Sequence, residues 1–202
     1  GKGINPFHEF AESLFLSAVE PSFMHTRNNG VLLAIGSAQH NVDRVWSYPG
    51  KIFYLKPVED PLPRSYEKRT DSGSNPFLSA KREMSANRHF SPVFEDFNGD
   101  NLIDVLIGSR FGLDIFSNTG TPTHPVFVLT TFPGTLPLLK VGGFEYLKPT
   151  VADINDDGKV DVLIGTRNST FLYYENTGTK VSPQFELQTG SSNPFPDLTT
   201  WP

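Results

Sequence analysis

The stretch DFNGDNLIDVLIG, beginning at Asp96, is followed by DINDDGKVDVLIG, beginning at Asp153. A chain that writes one loop and one strand twice is built from a repeated unit. That restricts it to architectures in which similar pieces stack side by side. In the first copy the oxygen-bearing side chains are Asp96, Asn98, Asp100 and Asp104; in the second they are Asp153, Asn155, Asp157 and Asp161. Both sets fall at positions 1, 3, 5 and 9 of a nine-residue loop. Carboxylates crowded at this spacing repel one another unless a cation lies among them.

Calcium suits such a loop because it is a hard cation that takes six to eight oxygens in forgiving geometry. A tight loop aims side chains 1, 3, 5 and 9 at one point, and the backbone carbonyl of position 7 (Leu102, Lys159) adds a further oxygen. Magnesium demands a stricter octahedron and keeps more of its waters. An EF-hand begins alike but needs a bidentate Glu at position 12, where this chain has Ile107 and Ile164. Position 6 is Gly158 in the second loop and Asn101 in the first, and Asn tolerates the left-handed backbone that the turn requires. An Asx-rich turn without metal is the competing reading of one such loop. Two copies at identical offsets favour the metal, and the expectation is two calcium ions.

The surroundings of the loops repeat as well. SPVFEDFN from Ser91 matches KPTVADIN from Lys148; VLIGSR matches VLIGTR; LDIFSNTGT matches FLYYENTGT; HPVF at His124 matches SPQF at Ser182. The apolar, β-branched run DVLIG closed by Gly reads as a buried strand. Each unit offers about four short strands joined by tight turns, the make-up of one propeller blade. An eroded unit precedes them: EPSFMHTRNNGVLLAIGS from Glu20 occupies the same frame, and RVWSYPG takes the place of DIFSNTG. Its loop has His25, Arg27 and Asn29 where acids would stand, so it is expected to hold no metal and to keep its turn through Asn28, Asn29 and Gly30. Residues 51–74 then read as an insertion in this unit, a loop of the kind that meets partners.

The expected fold is all-β, with propeller blades of four-stranded antiparallel sheets. Three units are visible: a degenerate one over 1–90, a second over 91–147, and a third over 148–202 that includes the start of a further unit. Propellers typically close with four to eight blades, and three would leave apolar flanks open. The chain is therefore expected to be part of a larger propeller or assembly. It starts at Gly1 without Met and shows no signal peptide, which reads as processed or cut from something longer.

Composition agrees. Gly and Pro number 17 each, as many short strands require, and 17 Phe supply a core. Only FHEFAESLFLSAVE, near the start, has a weak amphipathic helical pattern. Cys is absent, which excludes disulfides and thiolate metal sites. The net charge is −5, and its source is local: Asp96, Asp100, Asp104, Asp153, Asp156, Asp157 and Asp161 all lie in the two loops. No basic stripe points to nucleic acid, and no apolar run reaches membrane-spanning length. Catalytic motifs are missing too, and His8, His25, His40, His89 and His124 are scattered, so no enzymatic activity is expected.

From Ser91 to Glu186 the sequence resembles FG-GAP/VCBS-type repeats, the calcium-loop blades of integrin alpha-subunit propellers and of many secreted proteins. The resemblance is carried by Asp96–Gly108, Asp153–Gly165 and ENTGT…PQF, and it is weak before residue 90. It implies a β-propeller, usually of seven blades, with Asp96, Asn98, Asp100 and Asp104 on one calcium ion and Asp153, Asn155, Asp157 and Asp161 on another. The function expected is a calcium-stabilised extracellular or secreted module, structural or adhesive. It would meet other protein chains, or copies of itself, through blade flanks and the 51–74 insertion. A carbohydrate-binding propeller, with Trp46, Tyr48 and Tyr54 as a sugar-stacking surface, is the alternative, as is an accessory module of a secreted enzyme. The sequon NST at Asn168, at a turn between strands, is a glycosylation acceptor if the chain is secreted.

Overall fold

Short runs of β-branched and aromatic residues, cut by Gly, Pro and Asn, break this chain into brief strands rather than helices. The computed structural model describes residues 18–25, 31–38, 52–57 and 66–68 by their backbone. It also describes residues 90–195 apart from 111, 123, 131–145 and 168–169. The early strands are β1 (Ala18–His25), β2 (Val31–Ala38), β3 (Ile52–Pro57) and β4 (Tyr66–Lys68). A second set comprises β5 (Ser91–Glu95), β6 (Asp104–Gly108), β7 (Leu113–Asn118) and β8 (Phe127–Thr130). The third comprises β9 (Lys148–Ala152), β10 (Asp161–Gly165), β11 (Phe171–Asn176) and β12 (Phe185–Gln188). Each set is a four-stranded antiparallel meander in chain order, the form of a propeller blade. The only helical segment among the described residues is a 3₁₀ turn at Gly190–Ser192.

Register shows how closely the sheets correspond. Ser91 and Pro92 pair with Gly108 and Ile107, and Lys148 and Pro149 pair with Gly165 and Ile164. In the early sheet Glu20 and Pro21 pair with Gly36 and Ile35, the frame expected from the sequence. Its third strand differs from expectation. β3 and β4 both fall within 51–74, the stretch read as an inserted loop, and β3 pairs with β2 as β7 does with β6. The run Ile52–Leu55 has β-branched and aromatic residues with no Gly or Pro among them, a stronger strand signal than the residues before it. A constant spacing between second and third strands does not hold in this sheet, because connections vary most in length. The segments 44–50 and 26–30 lie outside the described residues, as do 7–17 of the helical candidate, whose last residues Ala18–Glu20 belong to β1.

The first strands of successive sheets run beside one another, β1 near β5 and β5 near β9. One face of the β5–β8 sheet packs on one face of the β9–β12 sheet. Leu106, Leu113 and Ile115 meet Val162, Ile164, Tyr174 and Phe185, with Phe97 and Leu147 closing the ends. Burying such side chains contributes about 1.5–3 kcal/mol each. β6 is buried at every position, so both of its faces are covered, whereas β10 keeps Leu163 and Gly165 only half-buried.

At the junction between these sheets the chain leading into β9 is tied back onto the β6–β7 turn. Leu147 N–H donates to the Ser109 carbonyl at 2.9 Å and Tyr146 N–H to the Arg110 carbonyl at 3.3 Å. The Tyr146 ring lies between the two sheets' matching arginines, with the Arg110 guanidinium 5.5 Å and the Arg167 guanidinium 5.3 Å from its centroid. Gly108 is where this junction is tightest: a Cβ there would stand 2.1 Å from the Leu147 carbonyl oxygen and 2.4 Å from Pro149 Cδ. At the matching Gly165 none of the described residues comes closer than 3.8 Å. Gly108→Ala is therefore expected to lower stability in urea denaturation by about 1–3 kcal/mol through overpacking. Gly165→Ala, its twin in sequence, should change it by less than about 0.5 kcal/mol.

Candidate functional site

Both acid loops wind the same way, and different residues achieve it. Positions 4 and 6 have positive φ in each: Gly99 (71°) and Asn101 (67°) in the first, Asp156 (58°) and Gly158 (79°) in the second. Gly and short Asx side chains are the residues that adopt this conformation at least cost. The left-handed turn expected at Asn101 is thus present.

The side-chain oxygens hold the turn. Asp96 Oδ1 accepts from Gly99 N–H at 2.7 Å and Asp100 N–H at 3.2 Å, and its Oδ2 accepts from Asn101 N–H at 2.9 Å. Asn98 Oδ1 accepts from Asp100 N–H at 2.9 Å, and Asp100 Oδ1 from Leu102 N–H at 2.7 Å. The second loop repeats this: Asp153 accepts from Asp157 and Gly158 N–H at 3.0 and 2.8 Å, Asn155 from Asp157 N–H at 3.2 Å, and Asp157 from Lys159 N–H at 2.9 Å.

Position 9 lies deeper. Asp104 and Asp161 open β6 and β10 and are both 0 % exposed. Asp104 accepts from Phe97 N–H at 3.2 Å and from Asn118 N–H, at the end of β7, at 2.8 Å. Asp161 accepts from Ile154 N–H at 3.2 Å, from Asn176 N–H at 2.8 Å and from the Tyr173 hydroxyl at 2.9 Å. Burial raises the Asp104 carboxyl to about 7; the Asn118 N–H bond opposes it, Asp100 adds to it, Phe97 N–H opposes and Asp96 adds. Burial, and then the bond to Asp161, also raises the Tyr173 phenol above its ordinary value.

The network continues through residues that sequence reasoning passed over. Asn118 and Asn176 are buried, and each side-chain oxygen accepts two backbone N–H groups across the following turn. Asn118 serves Gly120 at 3.0 Å and Val126 at 3.1 Å; Asn176 serves Gly178 and Gln184, both at 3.1 Å. The repeated NTGT was the available signal, read only as a strand end. One chain of bonds therefore runs from each acid loop, through the buried Asp, to the turn after the third strand.

The loops part company at position 7. Leu102 is apolar, whereas the Lys159 ammonium lies 2.9 Å from Asp157 Oδ2 and donates to the Asn176 carbonyl and, at 3.4 Å, to that of Gly178. The bond to Lys159 is the main cause holding the Asp157 carboxyl below its ordinary value. Asn155 Nδ2 donates to Asp157 at 3.2 Å and to Glu175 at 3.1 Å.

Among the described residues no group of three or more His, Cys, Asp or Glu is gathered as a metal centre. By residue type each loop offers three Asp carboxylates, one Asn amide oxygen and one backbone carbonyl, all of them hard oxygen donors. Both loops have Asp, Asn, Asp and Asp at positions 1, 3, 5 and 9 and positive φ at positions 4 and 6. Residues 96–164, from the first loop into the strand after the second, match the family described as FG-GAP-like repeat.

The chain carries an FG-GAP-type repeat.

No curated protein and no solved structure matches the chain. In the FG-GAP-type segment Asp96, Asn98, Asp100 and Leu102 lie in the first acid loop with Asp104 opening β6, and Asp153, Asn155, Asp157 and Lys159 lie in the second with Asp161 opening β10. Asn168, Trp46 and Tyr48 lie outside the described residues, and of Tyr54 only the backbone, within β3, is described. Asn118→Ala and Asn176→Ala each strand two turn N–H groups. Each is expected to lower stability by about 1–3 kcal/mol in urea denaturation. Hydrogen exchange should speed up at Gly120 and Val126 in the first variant, and at Gly178 and Gln184 in the second.

Proposed function

We propose that this chain is a calcium-stabilised, non-catalytic structural or adhesive module of the extracellular space, built from propeller blades and meeting other protein chains. The observation that carries the calcium reading is the paired one. Two loops of different sequence at positions 4 and 6 adopt one winding, each with oxygen donors at positions 1, 3, 5, 7 and 9. Asp96, Asn98, Asp100, Asp104 and the Leu102 carbonyl would hold one ion; Asp153, Asn155, Asp157, Asp161 and the Lys159 carbonyl would hold the other. Bound calcium would neutralise the carboxylates crowded into each loop.

The placement of the first loop supports a structural role. A Cβ on Gly99 would stand 2.7 Å from Val181 Cγ1 and 3.1 Å from the Lys180 carbonyl, so the turn before β12 rests directly on this loop. Stiffening the loop stiffens the junction between two sheets. For partners, β8 offers Val126, Val128 and Leu129, all exposed, along and beside an outer strand.

The early sheet should add no third ion, because Leu32, opposite Met24, stands in the register of Asp104 and Asp161. Isothermal titration calorimetry is expected to find two calcium ions per chain, with dissociation constants of about 10⁻⁴–10⁻³ M, the range of extracellular modules. At about 1 mM calcium each ion then adds about 0.4–1.4 kcal/mol of stability. Asp100→Ala and Asp157→Ala should each remove one ion and leave the other. A wild-type chain that takes up no calcium would sink the reading. For assembly, sedimentation velocity should reveal concentration-dependent association; a monomer at every concentration would count against self-assembly.

A further inference from the structure

The two loops match in backbone but not in what already occupies their oxygens. In the first, Asp100 accepts a single hydrogen bond, from Leu102 N–H. In the second, the equivalent Asp157 accepts from Lys159 N–H, from the Lys159 ammonium at 2.9 Å and from the Asn155 amide at 3.2 Å. The ammonium is not a loose surface charge, since the Asn176 and Gly178 carbonyls take its other protons and fix it beside the carboxylate.

The wider surroundings point the same way. Around the first loop stand Asp96, Asp100, Asp104 and, bonded to Asp96 N–H, Glu95. Around the second stand Asp153, Asp156, Asp157, Asp161 and Glu175, opposed by two ammoniums. One is Lys159 and the other is Lys180, whose Nζ would lie 3.5 Å from a Cβ on Gly158. Among the described residues the second loop has one more carboxylate and two more cations than the first.

We propose that Lys159 acts as a built-in cation of the second loop. It satisfies Asp157 without metal, so that the second loop binds calcium more weakly than the first and keeps its shape when calcium is withdrawn. The inference rests on the calcium reading above and adds which loop responds first. The physical reason is direct. A divalent ion approaching Asp153, Asn155 and Asp157 meets a fixed positive charge already on one of its ligands, a repulsion that Leu102 does not supply. Among the described residues the first loop has no such ammonium on Asp100, and it depends on the ion to relieve its carboxylates. The loop resting against Val181 at the sheet junction is then the calcium-sensitive one, and the loop on the far sheet is a permanent turn.

The structure also supplies a probe that separates the two loops. The Tyr173 hydroxyl donates to Asp161 in the second loop, and Ile115 holds the matching place in the first. Terbium(III), a hard ion that enters calcium sites, should therefore show tyrosine-sensitised luminescence from the second loop.

The test combines calcium calorimetry with that luminescence on the full chain, in wild type, Asp100→Ala, Asp157→Ala, Lys159→Leu and Leu102→Lys. Calcium is expected to bind the first loop (read in Asp157→Ala) on the order of tenfold more tightly than the second (read in Asp100→Ala). Lys159→Leu should tighten the second loop on the order of tenfold, with terbium luminescence rising at lower ion concentration. Leu102→Lys should loosen the first loop by a similar factor, which keeps the test open if Lys159→Leu folds poorly. Calcium binding of equal strength at both loops, or insensitive to both substitutions, overturns the role of Lys159 and leaves the calcium reading standing. No calcium binding in wild type overturns the calcium reading itself, and this inference with it.

Discussion

The buried carboxylates of Asp104 and Asp161 are the interaction on which the sheets that contain them depend. A carboxylate with no exposure to water must have its oxygens satisfied from within the protein. Here the partners come from three places in the sequence: the loop before the strand, the end of the third strand and, for Asp161, the Tyr173 hydroxyl. The loop therefore cannot move without disturbing the third strand, and the third strand cannot shift without disturbing the turn that its terminal Asn organises. What reads in one dimension as an acid motif, a hydrophobic strand and an NTGT turn is one hydrogen-bonded unit.

That unit places chemistry at one end of each sheet and packing at the other. At one end are the acid loops and the turns after the third strands. At the opposite end the β6–β7 turn receives the segment leading into β9, with Tyr146 between Arg110 and Arg167 and no space at Gly108 for a side chain. The sheets are thus fastened near both ends, by backbone and guanidinium contacts at one and by Val181 against Gly99 at the other. The apolar face between them supplies the bulk of the attraction.

The early sheet shows what happens when the acid unit is taken away. Its first two strands keep the register of the others, yet Leu32 replaces the buried Asp and Pro57 stands where Asn118 and Asn176 end the third strand. The meander survives because strand pairing is supplied by the backbone and by the apolar run.

Much of this was legible in the sequence. The repeated offsets fixed the two loops, the DVLIG runs fixed the buried strands, and Asn101 could be read as a left-handed turn residue because few other side chains tolerate that conformation. These are local properties, set by spacing and backbone sterics. The third strand of the early sheet was misplaced because a motif-based frame assumes constant connections, and only strand pairing determines which run joins the sheet. Asn118, Asn176 and Tyr173 were passed over because, apart from the nearby Gly120 and Gly178 N–H groups, their partners lie 8 to 15 residues away in sequence, and nothing in a linear pattern says which N–H groups a fold will bury. Gly108 and Gly165 are the sharpest case. Their sequence contexts are nearly identical, and tertiary structure alone sets one of them apart, because Leu147 and Pro149 come to rest on it and none of the described residues comes so close to the other.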